Sequence, residues 1–151
     1  MRRALCLSFL LISPITYAQD KGLPFDACFQ SASEYFGVSK RILVAIAKTE
    51  SSINPSAMGP PNNNGTFDIG IMQINSSWLP KLAGFGISRS DLMFACTNIY
   101  VGAWVLAHNM QRHGPTWRAV GAYNASTTSK QVNYVIKVQR NYELVGQLFN
   151  L

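Results

Sequence analysis

The chain has 151 residues, 48% of them hydrophobic and 13% charged, with a formal net charge of +6. That length suits one domain, and the apolar share is ordinary for a globular protein. The charge is spread out, with no run of Lys or Arg, which argues against nucleic-acid binding.

Residues 1–18 read as a secretory signal. Arg2 and Arg3 precede an apolar run from Ala4 to Ile12, and Thr16-Tyr17-Ala18 ends on a small residue. The run is too short to span a bilayer as a helix, and no later stretch is long and apolar enough. The alternative is an uncleaved anchor. Cleavage after Ala18 would leave residues 19–151 as one domain with a charge of +4, exported to the periplasm and not inserted in the membrane. It would also remove Cys6, leaving Cys28 and Cys96. An even pair in an exported chain is expected as a disulfide, worth about 4 kcal/mol by loop entropy, against the alternative of two buried thiols.

A first helix is expected from Phe25 to Phe36, with Cys28, Ala32, Tyr35 and Phe36 on or near one face. Gly37 should end it. Ser39 should cap a second helix from Lys40 to about Ser51. Within it, Ile42 to Ala47 is apolar on every side, so this helix should be surrounded by protein. Asn54-Pro55, Gly59-Pro60-Pro61 and Asn62-Asn63-Asn64-Gly65 are turn chemistry. Ile69 to Ile74 reads as a short strand or extended segment. Asn75-Ser76-Ser77 offers a cap for a helical turn over 78–82, and Gly84 and Gly86 mark a loop.

Ser88 to Asp91 should begin a helical region that continues from Leu92 to Arg112, with Ile99, Ala103, Leu106 and Met110 at helical spacing. Gly114-Pro115 should stop it. Thr116 to Ala122 reads as a short helix, Tyr123 to Ser126 as a loop, and Val132, Ile136, Gln139 and residues 142–148 as parts of a last helix. The fold class is therefore mainly α, with at most a small sheet near Gly65 to Ile74.

Two carboxylates occupy contrasting settings. Glu50 falls in the last turn of the buried helix, where the helix dipole and apolar neighbours both disfavour its charge. A raised pKa suits a general acid near neutral pH. Asp68 lies in a polar, turn-rich segment and should stay ionised. One acid in an apolar setting and one in a polar setting is the arrangement used in glycoside hydrolysis. The bland readings are a solvated Glu at a helix end and a turn-forming Asp. His108 and His113 are five apart, off the spacing of a zinc pair, so neither a metal nor another cofactor is expected. Trp78, Trp104 and Trp117 are candidates for a sugar groove, with core packing favoured for Trp104.

Three ordered motifs carry a resemblance. Ala47-Lys48-Thr49-Glu50-Ser51 resembles the catalytic Glu-Ser motif of lytic transglycosylases. Gly70-Ile71-Met72-Gln73 resembles their Gly-Leu-Met-Gln motif, and Ala122-Tyr123-Asn124 their third motif. Residues 64–76 are similar to the chicken-type lysozyme segment that carries the second catalytic Asp. Together these resemble the small specialised transglycosylases that accompany type III and type IV secretion, conjugation and type IV pilus machines.

The resemblance implies a lysozyme-like fold, a monomer, and peptidoglycan glycan strands as substrate, with a secretion, conjugation or pilus machine as partner. It implies that Glu50 protonates the bond between N-acetylmuramic acid and N-acetylglucosamine, then deprotonates the muramoyl 6-hydroxyl to give a 1,6-anhydro end. Asp68 would stabilise the developing positive charge. Met72, Gln73, Asn75, Tyr123 and Asn124 would contact substrate or support the acids, with the Tyr123 hydroxyl near Glu50. Ser51 would contact substrate or orient a loop or a hydroxyl. The bland readings are core packing for Tyr123 and Met72 and turn-satisfying amides for Gln73 and Asn75. Two alternatives stay open: a muramidase-type hydrolase with the same cleft, and a non-catalytic wall-binding component.

Overall fold

The computed structural model describes residues 22–151. The expected export signal, Cys6 included, lies outside the described residues. The helices are α1 (Asp26–Phe36), α2 (Lys40–Ser51), α3 (Leu79–Ala83), α4 (Ala95–His113), α5 (Trp117–Asn124) and α6 (Thr128–Phe149). The sheet is a ribbon of β1 (Asp68–Ile69) and β2 (Ile74–Asn75), antiparallel, with Asp68 opposite Asn75 and Ile69 opposite Ile74. None of the described helices is long and apolar enough to cross a membrane.

Helix α2 is the centre of the core. Leu43 to Ala47 are all fully buried, as an all-apolar helix segment requires. Burying each large side chain among them contributes about 1.5–3 kcal/mol. Gly37 closes α1 in the left-handed conformation, and the Ser39 hydroxyl accepts from the Ile42 amide to start α2. Helices α1, α4 and α6 pack around α2. The sulfurs of Cys28 on α1 and Cys96 on α4 are bonded, with Cα atoms 5.1 Å apart.

Several expectations need correction. Tyr35 is 76% exposed, so the buried face of α1 is carried by Phe29 and Ala32. Residues 69–74 do not run as one strand. Gly70, at φ 75°, and Gln73, at φ 48°, turn the chain into a hairpin. The long helix starts at Ala95, because Phe94 is extended and separates it from a 3-10 turn at Asp91–Met93. Tyr123 and Asn124 are not loop residues but the last turn of α5.

The ribbon is pinned by Asn98 of α4, which is fully buried. Its amide oxygen accepts from the Met72 amide at 2.8 Å, and its nitrogen donates to the carbonyls of Ile69 and Leu92, each at 2.8 Å. Gly70 allows this approach, since a Cβ there would lie 2.4 Å from the Asn98 nitrogen. Met72 packs beneath the ribbon against Gly102, where a Cβ would come within 2.8 Å of the methionine methyl.

Candidate active site

A cleft of about 580 Å³ opens between the ribbon and the α5–α6 corner. Glu50, Asp68, Gln73, Asn75, Tyr123 and Asn124 all line it, so six of the eight expected catalytic or substrate-contacting residues converge. The loop Asn62-Asn63-Asn64 and Thr66 form one wall, and Ser126, Thr127 and Lys130 the other. Trp78 also lines it.

Glu50 reaches the cleft from the end of α2. Its carboxyl pKa is raised from 4.5 to about 7, mainly by burial, with the nearby Asp68 charge adding to the rise. Tyr134 of α6 donates a 2.6 Å hydrogen bond to Glu50 Oε1 and pulls the other way. Near neutral pH this carboxyl therefore exists in both forms, able to give a proton and to take one.

Asp68 is held from the ribbon's own polar side. Asn75 Nδ2 donates to Asp68 Oδ1 at 2.8 Å and Asn62 Nδ2 to Oδ2 at 3.5 Å. Strand pairing puts Asn75 directly opposite Asp68, which is why this contact forms. The Gln73 amide nitrogen donates to the carbonyls of Gly70 and Ala57, fixing the turn beneath the cleft.

Two expected substrate contacts are structural. Met72 is fully buried and does not face the cleft. The Ser51 hydroxyl donates to the Ile71 carbonyl at 2.7 Å and accepts from the Asn54 amide, so it ties the end of α2 to the ribbon and the following loop. Tyr123 lines the cleft, but its hydroxyl donates to the Met72 carbonyl at 3.0 Å rather than to Glu50. Burial, then the Glu50 charge, raises the hydroxyl pKa of both Tyr123 and Tyr134, keeping them as donors.

Sequence reasoning missed Tyr134 and Asn98 among others. Tyr134 stands four residues before Val138, and both are buried, a helical spacing that marks the inward face of α6. Asn98 lies one position before the periodic Ile99, and nothing local distinguishes it from a surface Asn. Of the tryptophans, Trp104 packs edge-on to Trp78 with centroids 5.2 Å apart, and Trp117 faces a separate groove between α5 and α6.

Comparison with known proteins accords with this geometry. Residues 27–143 match the transglycosylase SLT domain. The chain belongs to that family. This domain is a lytic transglycosylase, an enzyme that cleaves glycosidic bonds in peptidoglycan. The chain is similar to the invasion protein IagB of Salmonella typhi, 37% identical over 126 residues, covering 80% of this chain and 78% of the relative. Protein IpgF of Shigella flexneri is 38% identical over 120 residues, 76% of this chain and 78% of the relative. A peptidoglycan-binding-like protein of Escherichia coli O157:H7 is 31% identical over 152 residues, 93% of this chain and 87% of the relative.

Among solved structures, an inactive mutant of the lytic transglycosylase Slt from Pseudomonas aeruginosa superposes with a TM-score of 0.66 at 21% identity. The match covers 82% of this SLT domain chain but 24% of that protein, and it bears on the fold. The mainly helical, lysozyme-like architecture is thus shared.

Proposed function

We propose that Glu50 is the acid and base of a non-hydrolytic cleavage. It protonates the glycosidic oxygen between N-acetylmuramic acid and N-acetylglucosamine, and the bond from that oxygen to the anomeric carbon breaks. The Glu50 carboxylate then takes the proton of the muramoyl 6-hydroxyl, whose oxygen bonds to the anomeric carbon. The products are a 1,6-anhydromuramoyl end and a free 4-hydroxyl on the leaving sugar, and no water is consumed. Asp68, held by Asn75, stabilises the positive charge that develops at the anomeric carbon. The carrying observation is a buried carboxyl with a pKa of about 7, bonded to Tyr134 in the cleft that Asp68 also lines.

The same cleft and the same pair of carboxylates would also serve a second reading, a muramidase in which water attacks instead. Mass spectrometry of digested peptidoglycan separates the two: anhydro ends for the transglycosylase, reducing ends for the hydrolase. Glu50→Gln should lose cleavage by at least a hundredfold, about the contribution of general acid catalysis, while still binding glycan strands. A Glu50→Gln protein with near-normal activity would remove Glu50 from the mechanism.

The cleavage would act in the periplasm after removal of residues 1–18, opening the wall locally for an envelope-spanning secretion, conjugation or pilus machine. The similarity to a protein named for invasion supports this placement. Growth of the machine with Glu50→Gln in place of the native chain tests it.

A further inference from the structure

The cleft is lined by three charged residues among those described: Glu50, Asp68 and Lys130. Both acids belong to the proposed chemistry, which leaves the cation unexplained. Lys130 is exposed, and no ion pair to it is found among the described residues. Its position does nothing for its own helix. It is the third residue of α6, whose first turn holds no acid, and the positive end of the helix dipole disfavours a cation there.

Helical spacing aims Lys130 into the cleft. Lys130, Tyr134 and Lys137 stand at i, i+4 and i+7, on one face of α6. Tyr134 fixes the direction of that face through its 2.6 Å bond to Glu50. Lys130 therefore lies about 6 Å further along the helix axis than the residue touching the acid. It stands beside Ser126 and Thr127, on the rim away from the Asn62-Asn63-Asn64 wall.

The sugar rings of a peptidoglycan strand are neutral apart from what is attached to the muramoyl lactyl group. Where a peptide stem is attached, the anionic groups are the stem's carboxylates. We propose that Lys130 binds a stem-peptide carboxylate, so that the cleft discriminates in favour of strands carrying charged stems. This rests on the reading of the cleft as a glycan-cleaving site. It adds to that reading a residue for choosing the substrate rather than for bond cleavage.

The test uses soluble glycan strands in three forms: with native stems, with stem carboxylates converted to amides, and with stems removed by an amidase, which frees the lactyl carboxylate. Lys130→Ala should raise KM on native strands about two- to fivefold, the range of an exposed ion pair, with kcat unchanged. KM on amidated strands should not respond, and Lys130→Arg should restore the native value. Added salt should raise the native KM of the unaltered enzyme by a larger factor than that of Lys130→Ala.

An equal KM rise on amidated strands would reduce Lys130 to a structural role and overturn the inference. So would no change on native strands, or an effect confined to amidase-treated strands, which would reassign the contact to the lactyl group. In each of those cases the unaltered enzyme still cleaves, and the cleavage reading stands. Failure of the unaltered enzyme to cleave any strand would remove both.

Discussion

The Glu50 pKa of about 7, against an ordinary 4.5, ties activity to stability. Below about pH 4.5 the carboxyl is protonated whether folded or not. As pH rises from there, the unfolded chain loses the proton and the folded chain keeps it, so stability falls. The loss is complete above the folded pKa and is on the order of 3 kcal/mol for such a shift. Glu50→Gln should therefore melt at a higher temperature than the native chain at pH 8, and at a similar one at pH 4.5. The partners of Glu50 separate by sign in the pH profile of kcat/KM. Tyr134 lowers the Glu50 pKa, so Tyr134→Phe should move the alkaline limb upward. The Asp68 charge raises it, so Asp68→Asn should move the same limb downward. Asp68→Asn should also slow cleavage roughly a hundredfold if its charge faces the transition state. An Asp68→Asn enzyme with unchanged rate would leave Asp68 as a residue that shapes the ribbon.

At the scale of the element, the Gly70-Ile71-Met72-Gln73 motif is mostly a device for holding a hairpin against α4. Gly70 leaves room for the Asn98 amide, Met72 occupies the space left by Gly102, and Ile71 is buried. Gln73 alone lines the cleft. The hairpin positions Asp68 and Asn75, so its anchor matters for chemistry without touching substrate. Asn98→Ala would leave one buried amide and two carbonyls without their partner, each costing about 1–3 kcal/mol. Chemical denaturation should show a loss of at least 2 kcal/mol, and cleavage should fall in the fraction that remains folded. Equal stability with full activity would mean that the ribbon holds its shape by strand pairing alone.

Across the whole molecule, two sets of long-range contacts assemble the site. The Cys28–Cys96 bond joins α1 to α4 and encloses α2 and the ribbon within one loop. By loop entropy it stabilises by about 4 kcal/mol, so replacing both cysteines by Ser should lower the melting temperature markedly. Intact mass under non-reducing conditions should be two hydrogens below that of the reduced chain. The second set is the pairing of α2 with α6. Arg41 lies over the Tyr142 ring at 3.8 Å and donates to its carbonyl, Asn141 donates to Thr49, and Tyr134 donates to Glu50. This run sets the distance between the α2 carboxyl and the α6 wall of the cleft.

Local chemistry alone determined the helical character of the chain, the Gly37 break and Ser39 cap between α1 and α2, and the burial of α2. It did so because an apolar segment with no polar stripe, the Ser39 cap and Gly37 each act within a few residues. The contrast between Glu50 and Asp68 was legible for the same reason, since the end of a buried helix and a polar turn differ in their immediate neighbours. Tertiary structure alone decided which polar group answers Glu50. Tyr134 is distant in sequence, and its hydroxyl direction depends on how α6 lies on α2. It also decided between the two readings open for Met72 and Ser51, placing them among the supports of the cleft, because motif residues that hold a backbone and those that face substrate read alike along the chain. Lys130 is the same case, a surface lysine in sequence that becomes the cleft's one lining cation among the described residues once α6 is packed.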